Sequence, residues 1–112
     1  MDQAGASIKL WKKLFPHAEL WEAEYNAQCV DHAKKRNQLD GINVLVGDQS
    51  DSSVLDQCVE QSGGKFDAII DDGGHTNCQI SNTFDKLWPQ LNPGGYYFIE
   101  DMHADRRSAP CF

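Results

Sequence analysis

The apolar positions of this chain change period several times, and each change marks an element. Ile8, Trp11, Leu14 and Phe15 fall on one side of a helix whose other side carries Lys9, Lys12 and Lys13. Ser7 can cap that helix, and Pro16 ends it. A short strand over 18–24 follows, with Leu20 and Trp21 as its apolar content. Asn26 can cap a second helix reaching about Leu39, after which Asp40-Gly41 turns the chain. Ile42-Asn43-Val44-Leu45-Val46 predicts a buried strand that ends at Gly47-Asp48. A third helix starts near Ser52, turns Val54, Leu55, Cys58 and Val59 inward, and stops at Gly63-Gly64. Phe66 to Ile70 is another short strand, running into Asp71-Asp72-Gly73-Gly74-His75. Thr76 and Gln79 have capping-box spacing ahead of a fourth helix, whose core face is Ile80, Phe84, Leu87 and Trp88. Asn92-Pro93-Gly94-Gly95 is a turn, Tyr96 to Ile99 the last strand, and a polar tail follows Glu100-Asp101.

Helices and strands therefore alternate from end to end. Short strands, two of them almost continuously apolar, separated by amphipathic helices predict an α/β fold: a parallel sheet covered by helices on both faces. At 112 residues the chain is long enough for one domain and too short for two. A core of that size does not need disulfides.

Charge narrows the partners. The net charge of −7 repels phosphate backbones and anionic lipid, so neither nucleic acid nor a membrane surface is expected. No apolar run approaches the ~18 residues that cross a bilayer. The N-terminal fifteen residues hold lysines and no apolar stretch of the secretory kind. Cys29, Cys58, Cys78 and Cys111 are far apart and form no CxxC pair, which argues against a zinc or thioredoxin-like site. The expected compartment is a reducing cytoplasm.

Every expected strand ends, on its carboxyl side, in acidic or small polar residues: Glu22 and Glu24, then Gly47-Asp48-Gln49, then Asp71 to His75, then Glu100-Asp101. Such ends share one edge of a parallel sheet, where ligands bind. Loops are polar in any case, and Asp and Gly make turns. Four coincident acidic ends repel one another, however, unless a cation or ligand hydroxyls offset the charge. Asp72, Glu100 and Asp101 can approach one ion if their strands are neighbours and the second bends at its end. Carboxylates without a thiolate favour a hard octahedral cation such as Mg²⁺. His75, released by two glycines, is placed to act as a base on a hydroxyl held by that ion, or is a surface imidazole. Glu24 is either an acceptor for ribose hydroxyls or a carboxylate at the start of the next helix. Asp48 is either a turn residue or an acceptor for an adenine amino group.

These segments, in order, resemble a known group. Gly5-Ala6-Ser7-Ile8-Lys9-Leu10-Trp11, Phe15-Pro16-His17-Ala18, Gly47-Asp48-Gln49-Ser50-Asp51, Phe66 to His75, and Pro93-Gly94-Gly95-Tyr96-Tyr97-Phe98-Ile99-Glu100-Asp101-Met102-His103 look like the motifs of macrocin- and mycinamicin-type sugar O-methyltransferases. Those enzymes are class I S-adenosylmethionine-dependent methyltransferases of Rossmann-like, three-layer fold. The resemblance covers about residues 5–103, and its most specific part is DDG-x-H combined with GG-x-Y-x-IED. It implies Asp72, Glu100 and Asp101 as ligands of Mg²⁺ (or Mn²⁺), and His75 as the catalytic base. It further implies Gly5, Glu24, Asp48, Gln49 and Asp71 as contacts of S-adenosylmethionine, Glu24 at the ribose and Asp48 with its neighbours at the adenine. The acceptor implied is a small-molecule hydroxyl, such as a sugar of a polyketide glycoside.

Two departures qualify the match. The family opens with a strand and a glycine-rich loop around the methionine end of the cofactor, whereas only Met1-Asp2-Gln3-Ala4 precedes Gly5 here. That strand lies in the family between the strands ending at Glu24 and at Asp72. The last two strands have no counterpart either, so a fragment with weak cofactor binding is expected, either marginally stable or self-associating through its exposed sheet edges. A second departure is Gln79, at a place where the family often has a further His. Two other functions fit the same residues: a non-catalytic, degenerate Rossmann-like binding module, and a metal-dependent hydrolase. A GxSxG nucleophile elbow and a GxGxxG fingerprint are both missing, which argues against an ordinary hydrolase and a nicotinamide dehydrogenase.

Overall fold

The computed structural model describes residues 6–72 and 77–100. Its elements alternate as the periodicity predicts: α1 (Ala6–Leu14), β1 (Trp21–Glu24), α2 (Ala27–Lys35), β2 (Asn43–Val46), α3 (Ser52–Ser62), β3 (Phe66–Asp71), α4 (Asn77–Leu87), a 3-10 turn (Trp88–Gln90) and β4 (Leu91–Ile99). The chain divides between Gly47 and Asp48 into two compact units. In the first, β1 pairs in parallel with β2; in the second, β3 pairs in parallel with β4. Among the described residues no ladder joins the two pairs, so the expected sheet is present as two parallel pairs.

In the first unit, Ile8 from α1 packs with Val30 and Ala33 of α2 and with Leu39, Ile42 and Val44. Asn26 caps α2 as expected, its side chain accepting from the Gln28 and Cys29 N–H groups at 2.9 and 3.3 Å. The helix stops four residues before Leu39, however. Asn37 adopts a left-handed φ of 57°, and the N–H groups of Asn37 and Gln38 return to the carbonyls of Lys34 and Ala33. This Schellman closure satisfies the last carbonyls and lets Leu39 fold back into the core. The Ile42 N–H is similarly taken by Leu39, so β2 starts one residue later than its apolar run.

The stripe on α1 is only partly used. Ile8 is buried, but Leu14 and Phe15 are each 55% exposed, and Trp11 stacks on Phe15 at 6.1 Å. Helix α1 also begins at Ala6, which puts Ser7 inside its first turn instead of at the cap.

In the second unit, Leu55 of α3, Ile69 of β3 and Leu87 of α4 form the buried centre, with Val59, Phe66, Leu91 and Tyr97 against it. Burying each such aliphatic side chain stabilises by roughly 1.5–3 kcal/mol. Asp51 caps α3 through the Ser53 N–H at 2.9 Å, and Gly63 closes it in the left-handed region at φ 81°. Trp88, expected in the core, is 51% exposed. Pro89 ends α4 at Leu87, and the 3-10 turn carries Trp88 off the inward stripe. Its ring still stacks on Phe84 at 5.2 Å and meets the edge of Tyr97 at 6.3 Å. The opposite face of the β3–β4 pair leaves Ile70, Tyr96 and Phe98 exposed.

The segment expected as a simple turn belongs to the ladder. Phe66 pairs with Leu91 and Ala68 with Tyr96, so Asn92–Gly95 bulge out opposite Asp67 alone. The Asn92 amide secures the bulge by donating to the Lys65 carbonyl at 3.0 Å and the Asp67 carboxylate at 2.9 Å. At Gly95 a Cβ would sit 2.8 Å from the Asp67 carbonyl oxygen and 2.9 Å from Leu91 Cδ1, so a side chain does not fit. Gly94 has φ 81° with nothing near its Cβ position. Gly94→Ala should therefore cost about 1–2 kcal/mol in backbone strain. Gly95→Ala should cost about 3 kcal/mol, because backbone must move. Urea denaturation of both variants checks this; equal losses would contradict the close approach.

Candidate cofactor and metal site

Four strand ends carry the polar residues singled out above. In β1, Glu22 and Glu24 alternate onto one side of the strand. With Cys29, Val30, Ala33, Leu39 and Val44 they line a pocket in the first unit. Burial among these apolar groups, and then the neighbouring charge of Glu24, push the Glu22 carboxyl above its usual range. Glu24 accepts from the Asn26 N–H at 3.1 Å, while its own carbonyl accepts from Gly47 N–H at 3.0 Å. Its carboxylate is thus held at the mouth of the β1–α2 turn. Two acids beside an apolar wall suit a ligand that offers hydroxyl donors and an apolar face.

After β2 the loop Asp48–Asp51 belongs to the second unit. Asp48 folds it into an Asx turn, accepting from the Ser50 N–H at 2.8 Å and the Ser50 hydroxyl at 2.7 Å. Those bonds hold the Asp48 carboxyl below its usual range. Gln49 points to the end of β3: its amide nitrogen donates to Asp71 Oδ1 at 3.2 Å and to the Thr83 hydroxyl at 2.9 Å. Asp71 and Thr83 are both buried. Asn82, next to Thr83 on α4, donates to the carbonyls of Gln49 and Ser50 at 3.1 and 3.2 Å. Tyr97 pairs with Ile69 and stacks edge-on against Phe84 at 5.1 Å. Burial and then the Asp71 charge raise its phenol pKa strongly.

Beyond these contacts the ladder continues by one bond, from the Glu100 N–H to the Asp71 carbonyl at 2.9 Å. Asp72 and Glu100, both exposed, consequently leave neighbouring parallel strands side by side. The donors are hard carboxylate oxygens, which fit Mg²⁺ and not a thiophilic ion. Gly5, His75 and Asp101 lie outside the described residues, and among the described residues no group of three metal-ligating side chains is complete.

Asn82 and Thr83 are site residues that patterning alone does not single out. A signal exists for Thr83: it stands three residues after Ile80 and four before Leu87, a hydroxyl in an otherwise apolar stripe.

No protein-family model matches the chain. Individual relatives do. Over 99 residues it is 35% identical to the mycinamicin VI 2''-O-methyltransferase of Micromonospora griseorubida, covering 88% of this chain and 23% of that protein. Over 98 residues it is 34% identical to the demethylmacrocin O-methyltransferase of Streptomyces fradiae, with 88% and 23% covered. Among solved structures, the MycE methyltransferase from the mycinamycin pathway, in complex with Mg, SAH and mycinamycin VI, superposes with a TM-score of 0.71 at 34% identity. That match covers 88% of this chain and 24% of the other. The chain spans about a quarter of the length of the curated relatives it matches. Over most of its own length, then, this chain is a relative of the mycinamicin- and macrocin-type O-methyltransferases and has the α/β fold of the part it shares with them.

Proposed function

We propose that this chain supplies the cofactor- and metal-binding part of an S-adenosylmethionine-dependent, Mg²⁺-assisted O-methyltransferase acting on a hydroxyl of a small molecule, such as a sugar on a polyketide. The observation that carries the reading is the β3–β4 register, which leaves Asp72 and Glu100 adjacent at the strand ends in a chain similar to a Mg- and SAH-bound methyltransferase. Asp72, Glu100 and Asp101 would hold the cation. A bound divalent ion lowers the pKa of a hydroxyl it holds. His75, close behind Asp72 in sequence, would take that hydroxyl's proton. Glu24 would accept hydrogen bonds from the ribose, and Asp48, Gln49 and Asp71 would border the adenosine end, with Gly5 nearer the methionine end. S-adenosylmethionine, when bound, supplies the methyl group from its sulfonium centre.

Glu24→Ala should weaken binding of S-adenosylhomocysteine about tenfold, the equivalent of one charge-assisted hydrogen bond. Titration calorimetry reads this, and a wild-type chain that shows no binding at millimolar ligand would sink the cofactor assignment. Millimolar Mg²⁺ should raise the melting temperature by binding the folded state preferentially, and Asp72→Asn should remove the rise. A melting curve indifferent to Mg²⁺ would reduce the acidic ends to turn chemistry.

Glu22 adds a pH test. Its carboxyl is raised in the folded state, so its contribution is most favourable below the unfolded carboxylate pKa and is lost as pH climbs through the folded one. Glu22→Gln should accordingly melt higher than wild type at pH 7, with the advantage fading as the pH falls through the carboxylate range. Equal melting temperatures across that range would mean the pair is fully solvated.

A further inference from the structure

We infer that Asn82 and Thr83 on α4 are positioning residues: a clamp that fixes the loop after β2 against the end of β3. Five hydrogen bonds meet there. The Gln49 amide bridges the Asp71 carboxylate at 3.2 Å and the Thr83 hydroxyl at 2.9 Å. The Asn82 amide takes two successive loop carbonyls, those of Gln49 and Ser50. Its oxygen also lies 3.3 Å from the Ser52 hydroxyl, at the start of α3. Asp71 and Thr83 are buried, so bonds between them and Gln49 are shielded from water and sensitive to small shifts.

The clamp has a consequence for the site. Asp71 precedes Asp72 and gives its carbonyl to the Glu100 N–H, so the residue that receives Gln49 also sets the two acidic strand ends side by side. Helix α4 thereby ties the loop that would border the adenosine to the strand end that would hold the cation. Neither Asn82 nor Thr83 is needed to touch a ligand. They act through Gln49, Ser50 and Asp71. The link to cofactor rests on the methyltransferase reading above; the clamp itself rests on the hydrogen bonds.

Thr83→Val removes the hydroxyl at nearly constant volume, and Thr83→Ser keeps it. Amide hydrogen exchange of the 112-residue chain, with and without S-adenosylhomocysteine, is the deciding experiment. Thr83→Val should loosen the Ser50 and Asp51 amides about tenfold relative to those of β3, and weaken S-adenosylhomocysteine by a similar factor. Thr83→Ser should restore both. Uniform loosening of loop and strand, or unchanged affinity in a chain whose loop has loosened, would overturn the proposal. Selective loosening in a chain whose wild type binds no S-adenosylhomocysteine would uphold the clamp and refute the methyltransferase reading.

Discussion

Parallel pairing of β3 with β4 puts Asp71 opposite Ile99, and one more bond, from the Glu100 N–H, carries the ladder to the point where both strands turn polar. Parallel strands leave in the same direction, so their carboxyl ends must emerge together. No loop flexibility is needed to bring Asp72 and Glu100 near each other. The same ladder sets the inner face of the unit. Ile69 and Tyr97 pair with each other and meet Leu55, Leu87 and Phe84 from the two helices. The bulge at Asn92–Gly95 protects this arrangement: it absorbs the extra residues of β4 before Tyr96, so that the pairs from Ala68 to Asp71 stay in step. A one-residue slip there would turn the aromatic and aliphatic set outward and separate the acids.

The first unit is built on the same rule at smaller scale. Four parallel pairs, Trp21 with Asn43 through Glu24 with Val46, are enough to align β1 over the core that Ile8, Val30, Ala33 and Leu39 provide. Two glutamates on one side of a four-residue strand are electrostatically unfavourable, and burial of Glu22 makes the repulsion worse. Stability alone does not account for such a pair. A ligand that offers hydroxyl donors would offset the repulsion. No helix among the described residues is long and apolar enough to cross a membrane.

Much of the architecture was legible in the sequence, because it depends on local rules. Asn26 ahead of an amphipathic run, Gly63-Gly64 behind another, and the repeat of Ile80, Phe84 and Leu87 fixed three helices to within a few residues. The expectations that failed did so where a neighbour decided the outcome. Asn37 closed α2 early, Pro89 turned Trp88 outward, and the second half of the α1 stripe stayed exposed.

The candidate site divides along the same line. Residue type and position within strand-end motifs determined that Glu24, Asp48, Asp72 and Glu100 would stand at carboxyl ends of strands, since alternation of elements and polarity of turns are properties of short segments. Only the tertiary structure decided that Gln49 would reach Asp71 and Thr83, or that Asn82 would hold two loop carbonyls. Those contacts join residues more than twenty positions apart, and their partners are chosen by how β3 and α4 pack rather than by any local pattern. A threonine inside an apolar stripe signals that a buried hydroxyl needs a partner; which partner it finds is a property of the fold.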